Sequence, residues 1–210
     1  MIRLVLNIIL INLGFCDQDC ECLAQNIYTT YTAPERGYHN IKHISNRLTN
    51  LDKFLICFEC VQKIKNINEF AFAILMHDYI HGTKNDINAS IKKAKTFLHK
   101  ISLQYNSDYI ENLIKATDYE KCKKIDFDQQ LIQDLDLNTL GASNTEYNKY
   151  ANQIRLEYKQ FSDDVFYQER IKILHMFLSR EHIFNIKYFR DKYEHIARAN
   201  ITKEISKLKK

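Results

Sequence analysis

What most restricts this chain is how little of it can turn sharply. Four glycines and one proline are all that 210 residues supply. An all-β fold needs turn-forming residues about every 8–12 positions, because tight hairpin turns demand the backbone angles that glycine and proline favour. A chain this poor in them is read as all-α, a single helical domain over residues 1–210. Hydrophobic residues make up 45% of it and charged residues 27%, enough for a packed core and a solvated surface.

The apolar spacing supports this reading. Ile44, Leu48, Leu51, Leu55, Phe58 and Val61 recur every three or four residues, as on an amphipathic helix beginning at Ile41. "INEFAFAILMHDYI", residues 67–80, is apolar on nearly every side and predicts a central helix running to near Gly82. Further helices are expected over "DINASIKKAKTFLHKIS", "SDYIENLIKAT" and "DQQLIQDLDLNTL", the last stopping at Gly141. Three more follow: one marked by Tyr147 to Phe161, then Phe166 to Leu178, then Ile183 to about Asn200.

The first sixteen residues allow two readings. Arg3 followed by the apolar run Leu4 to Leu13 resembles a signal peptide. The run is too short to span a membrane, Asn7 and Asn12 interrupt it, and no small-x-small cleavage site follows. Leu4, Ile8, Ile11 and Phe15 share a helical stripe, so a buried first helix is the reading adopted. No membrane partner and a cytoplasmic location are expected. The net charge of +4 is mild and its basic residues are interleaved with acidic ones. Only "KLKK" at the end is basic, so no nucleic-acid partner is expected. "CEC" and "CFEC" invite a zinc site, but Cys57 and Cys60 lie in a helical pattern without the loop a zinc knuckle needs. They are read as packing or surface thiols.

The scarce breakers gather around polar clusters. "PERGYHNIKHI" (34–44) places His39 and His43 four residues apart, on one face if the segment is helical. "MHDYIHGTKND" (76–86) brings His77 and Asp78 to the end of the most apolar helix, with His81 a turn beyond on the side of His77. An aspartate in such surroundings is costly unless it is paired or holds a cation. Asp136 sits between Leu135 and Leu137. Imidazoles and carboxylates together suit a divalent cofactor ion (Mn, Fe, Co, Ni, Zn or Mg) better than calcium.

In that order (H, then HD, then D) the residues resemble the HD superfamily of metal-dependent phosphohydrolases, and the closest likeness is to small bacterial proteins of that superfamily. "YTAPERGYHNIKHI", "HDYIHGTKND", "LIKAT", "DLDLNTLGA", "IRLEY", "ERIKILHMFLSR" and "YEHIARANI" fit in sequence. "YHNIKHI" and "HDYIHGTKN" also look like the paired motifs of cyclic nucleotide phosphodiesterases. The resemblance implies a single HD-type helical bundle in which His43, His77, Asp78 and Asp136 hold the metal. It implies that His39 donates a proton to the leaving oxygen, that His81 lies near the metal-bound water, and that Arg36 contacts phosphate. Two departures stand out. No proline precedes the glycine of "HG", and "DYEKC" follows "LIKAT" where the small bacterial proteins often carry histidine, which puts a second ion in doubt. The function so implied is hydrolysis of a small phosphoester, nucleotides among the candidates, by a metal-activated water. The alternative is a non-catalytic, metal-stabilised binding module on the same scaffold.

Overall fold

A computed structural model describes residues 2–57, 63–83, 85–100, 104–119 and 126–209. The protein is all-α, with ten α-helices, one 3-10 turn and no strand among the described residues. None of these helices is long and apolar enough to cross a membrane. The chain gathers into two compact units, Met1–Ile132 and Gln133–Lys210, and the boundary falls within a helix.

The first unit contains α1 (Ile2–Asn12), α2 (Asp17–Tyr31), α3 (Ile41–Cys57), α4 (Ile67–Met76), α5 (Asp86–Leu98), α6 (Ser107–Ala116) and the start of α7 (Phe127–Leu137). α4 is its centre. Every residue from Glu69 to Met76 is buried, and the helix packs against α1, α3, α5 and α6. It starts where Asn66 Oδ1 accepts the N–H groups of Asn68 and Glu69, satisfying donors that a first turn leaves open. The buried Glu69 carboxylate in turn accepts from the Asn106 N–H, and Asn106 caps α6 through the Tyr109 N–H.

Two expectations are corrected here. α1 forms, but its buried face is Leu6 and Leu10, continued by Leu13 and Phe15. Leu4, Ile8 and Ile11 are 64, 49 and 51% exposed. A helix apolar on all sides has two candidate stripes, and only its neighbours choose between them. His39 is not helical: residues 37–40 form a bend, and α3 opens at Ile41 because Asn40 Oδ1 caps it through the Lys42 and His43 N–H groups. The exposed Cys57 ends α3, while Phe58, Cys60 and Val61 lie outside the described residues.

The second unit holds the end of α7, the 3-10 turn Asn138–Gly141, α8 (Asn144–Glu157), α9 (Asp163–Leu178) and α10 (Lys187–Leu208). α10 packs on the 3-10 turn and on α9. Gly141 is required by proximity, since a Cβ there would lie 2.4 Å from the Tyr193 Cβ. A buried polar knot ties the helices together: Glu204 on α10 accepts from Tyr147 Oη at 2.5 Å and from Arg170 at 2.9 and 3.2 Å. The Arg170 guanidinium also donates to Tyr150 Oη.

Candidate metal centre

α4 ends without a glycine or proline, and side chains from elsewhere catch the chain as it leaves. Tyr31 Oη, fully buried, donates to the Leu75 carbonyl at 2.8 Å. Arg36 donates to the Asp78 and Tyr79 carbonyls at 2.8 and 2.7 Å. Ser90 Oγ accepts the Ile80 N–H, and the Asp86 carboxylate accepts those of Gly82 and Thr83. Gly82 has φ +88°, a backbone region where a side chain is strained. The turn 77–83 is therefore set by surrounding side chains, and it carries His77, Asp78 and His81 at fixed positions.

His77 is 3% exposed, and its Nδ1 lies 2.9 Å from the Ile74 carbonyl, which can only accept. Nδ1 therefore carries a proton, and the ring's other nitrogen, Nε2, faces the cluster. That nitrogen is 2.9 Å from Asp78 Oδ2. His43, also 3% exposed, comes in from α3, its Nε2 at 3.3 Å from the same oxygen and 3.3 Å from His77 Nε2. Asp78 Oδ2 is shut away from water, and despite these short approaches it receives no hydrogen bond of acceptable direction. Burial opposes ionisation of Asp78. The imidazoles of His77, His39 and His43 outweigh it and hold the carboxyl well below the usual carboxylate range.

Two imidazole nitrogens and one under-bonded carboxylate oxygen around a common point fit a divalent ion, which satisfies all three at once. His77 is already anchored as a ligand needs, its second nitrogen on a main-chain carbonyl. His43 is not. Its Nδ1 lies 3.3 Å from Arg47 Nη2, a group with donors only, so Nε2 carries the ring's N–H, 3.3 Å from both His77 Nε2 and Asp78 Oδ2. Ligation through His43 Nε2 requires that proton to leave.

His39 and His81 face each other beside this centre, ring centroids 4.2 Å apart and tilted 34°. Each offers a nitrogen that, with an Asp78 oxygen, makes a second group whose atoms lie within 4.8 Å of one another. His81 Nδ1 is 3.8 Å from Asp86 Oδ2. Tyr38 stands edge-on to both His39 and His43, with its hydroxyl 2.6 Å from Arg47 Nη2. The first unit thus brings together His39, His43, His77, Asp78 and His81. Arg36 is close by, with its guanidinium engaged by main-chain carbonyls.

Asp136 belongs to the second unit, half-buried on the last turn of α7 between the buried Leu135 and Leu137. Two residues earlier, Asp134 is fully buried. Its carboxyl accepts from the Asn185 N–H at 2.8 Å, Asn185 Nδ2 at 3.0 Å and the Ile186 N–H at 2.7 Å. Burial pushes its pKa up to about 7 against the pull of those donors. Sequence reading missed Arg47, Tyr38 and Asp134. Arg47 was findable: it lies four residues after His43 on the same helix face.

No protein-family model matches the chain, and neither the curated proteins nor the solved structures contain a match to it.

Proposed function

We propose that the chain is an HD-type, metal-dependent phosphohydrolase acting on a small phosphoester. The observation that carries this reading is the approach of His43 Nε2 and His77 Nε2 to Asp78 Oδ2, a buried oxygen left without a hydrogen bond. Such an oxygen is expensive in a purely structural cluster and useful in a ligand set. His43, His77 and Asp78 are assigned as ligands. Asp136 is assigned as the fourth on its chemistry and its place in the H, HD, D order. When bound, a divalent ion supplies Lewis acidity that lowers the pKa of water and offsets charge on a phosphoryl group.

The chain's own residues supply the rest. Asp78, held ionised, contributes the negative charge that keeps a cation in place. His77 contributes Nε2, its ring already anchored by Nδ1 on the Ile74 carbonyl. His39 is assigned as the proton donor to the leaving oxygen, since imidazole is the side chain that exchanges protons near neutral pH. His81, ring to ring with His39, is assigned to orient it and the attacking water.

The test is chelator-treated protein reloaded with Mn, Mg, Co, Ni or Zn and offered a panel of phosphomonoesters, phosphodiesters and nucleotides. Metal-dependent turnover of any member supports the proposal. Tight metal binding with no turnover across the panel would assign the chain instead to the non-catalytic binding modules. Failure to bind any of the five ions would sink both.

A further inference from the structure

We propose that Arg36 is a positioning residue for this centre: its guanidinium locks the segment that carries His39 onto the turn that carries His77, Asp78 and His81. The inference rests on reading the cluster as a metal centre. Arg36 Nη1 donates to the His39 carbonyl at 2.9 Å and to the Asp78 carbonyl at 2.8 Å, and Nη2 donates to the Tyr79 carbonyl at 2.7 Å. One planar cation thereby joins two stretches of backbone about forty positions apart in the chain. Two of the three carbonyls belong to His39 and Asp78 themselves, so the bonds fix the main chain directly beneath two side chains of the cluster.

The guanidinium is held in its turn. Its Cζ lies 4.8 Å from the centroid of the buried Tyr31 ring, and Tyr31 Oη is tied to the Leu75 carbonyl in the last turn of α4. This stack keeps the fork from swinging out to solvent. A lysine could not replace it, because one ammonium is a point donor and cannot bridge three carbonyls fanned across two segments. Donation from a cation makes these bonds stronger than neutral ones. Sites of this kind tolerate only about 0.5 Å of slack before function fails. Both terminal nitrogens are aimed at main chain, which makes Arg36 a strap rather than the phosphate contact expected from its motif.

Arg36→Ala and Arg36→Lys, prepared metal-free, test the proposal by two readouts. The first is the imidazole resonances in long-range ¹H–¹⁵N spectra. The second is the affinity for Co(II), followed by visible absorption. In both variants the His39 and His81 resonances should move, while those of the exposed His175, His182 and His195 stay in place. Co(II) affinity should fall about 10–100-fold, the usual effect of losing a group that orients a ligand. Millimolar guanidinium ion should restore part of it to Arg36→Ala, and methylammonium should not. Unmoved His39 and His81 resonances with unchanged Co(II) affinity would overturn the proposal. So would a loss that tracks general unfolding, with all histidines shifting together. Should Arg36→Ala fail to fold, Arg36→Lys, which keeps a cation beside Tyr31, carries the same readouts. If the unaltered protein binds no Co(II), the metal reading fails, and the His39 and His81 resonances still decide the strap.

Discussion

Replacing Asp134 with Asn removes a carboxyl buried at the end of α7, and the structure sets both the size and the direction of the effect. In the folded state burial raises this group to about 7, while its ordinary value is 3.8. Between those two values the folded protein binds more protons than the unfolded chain. Stability from this group is therefore full below the lower value and lost as pH rises through the upper one. The separation corresponds to on the order of 4 kcal/mol, of which about 3 kcal/mol falls between about pH 4.5 and pH 8. The carboxyls of Asp78, Glu111 and Asp126 are held below their ordinary values, so their effects fall in more acidic solution and do not confuse this window. The assay is urea unfolding of the parent and Asp134→Asn at half-unit pH steps, followed by far-ultraviolet circular dichroism. The parent should lose stability relative to the variant across the window by about 3 kcal/mol. A carboxamide keeps one acceptor oxygen for the Asn185 and Ile186 N–H groups, so the variant should fold. Parallel pH curves, or a parent that gains on the variant as pH rises, would refute the argument. They would mean that the three N–H donors outweigh burial and keep Asp134 ionised.

Other predictions concern the site and its scaffold. His43→Ala should lose metal and activity together, whereas His39→Ala should keep its metal while turnover falls roughly 10²–10⁴-fold. A nitrophenyl ester, whose leaving group needs no proton, should partly rescue only the His39 variant, and metal content measured beside rate decides the assignment. Arg170→Leu should destabilise the protein by about 3–5 kcal/mol in thermal or urea unfolding, because it strands the buried Glu204 carboxylate with only Tyr147. On α1, Leu6→Ala and Leu10→Ala should each cost about 2–5 kcal/mol, while Ile8→Ser with Ile11→Ser should cost far less. An equal loss in the two α1 experiments would mean that the exposed stripe is covered in solution.

How much could be read in advance follows from where the sequence is one-sided. The fold class was legible because scarce glycine and proline leave few alternatives, and α4 because no surface helix carries eight consecutive buried positions. The H and HD components were legible because histidine and aspartate in apolar surroundings demand an explanation. The face of α1 was not legible: Leu4, Ile8, Ile11 and Leu6, Leu10, Leu13 have equivalent spacing, and only packing against α2 and α4 separates them. His39 was read onto the helix because nothing between it and His43 breaks one. The signal was Asn40, a residue that caps helices better than it continues them. In "DLDL" the two aspartates look alike in sequence. That Asp134 ties down the segment before α10 depends on Asn185 and Ile186, about fifty positions away, which local pattern cannot foresee.

Buried carboxylates also show why under-bonding alone is not enough to nominate a site. Glu204 faces Tyr147 and Arg170, and Asp134 faces three N–H donors; both are satisfied, and both tie helices together. Asp128 is 1% exposed and leaves Oδ1 without a hydrogen bond, yet its other oxygen takes the Tyr109 hydroxyl and the Lys65 N–H. Beside Asp128 stand a phenol and main chain, neither of which competes for a cation. Asp78 differs in the company of its unsatisfied oxygen: two imidazole nitrogens approach it, one from a ring already anchored through its other nitrogen on the Ile74 carbonyl. Three ligand-type atoms this close, around a carboxylate oxygen without a hydrogen bond, cost stability in a protein that uses them only for packing. The surrounding turn, by contrast, has its backbone bonded to Arg36, Ser90 and Asp86. A poorly satisfied centre inside a braced frame is what pre-organisation for a cation requires, and it sets Asp78 apart from Glu204, Asp134 and Asp128.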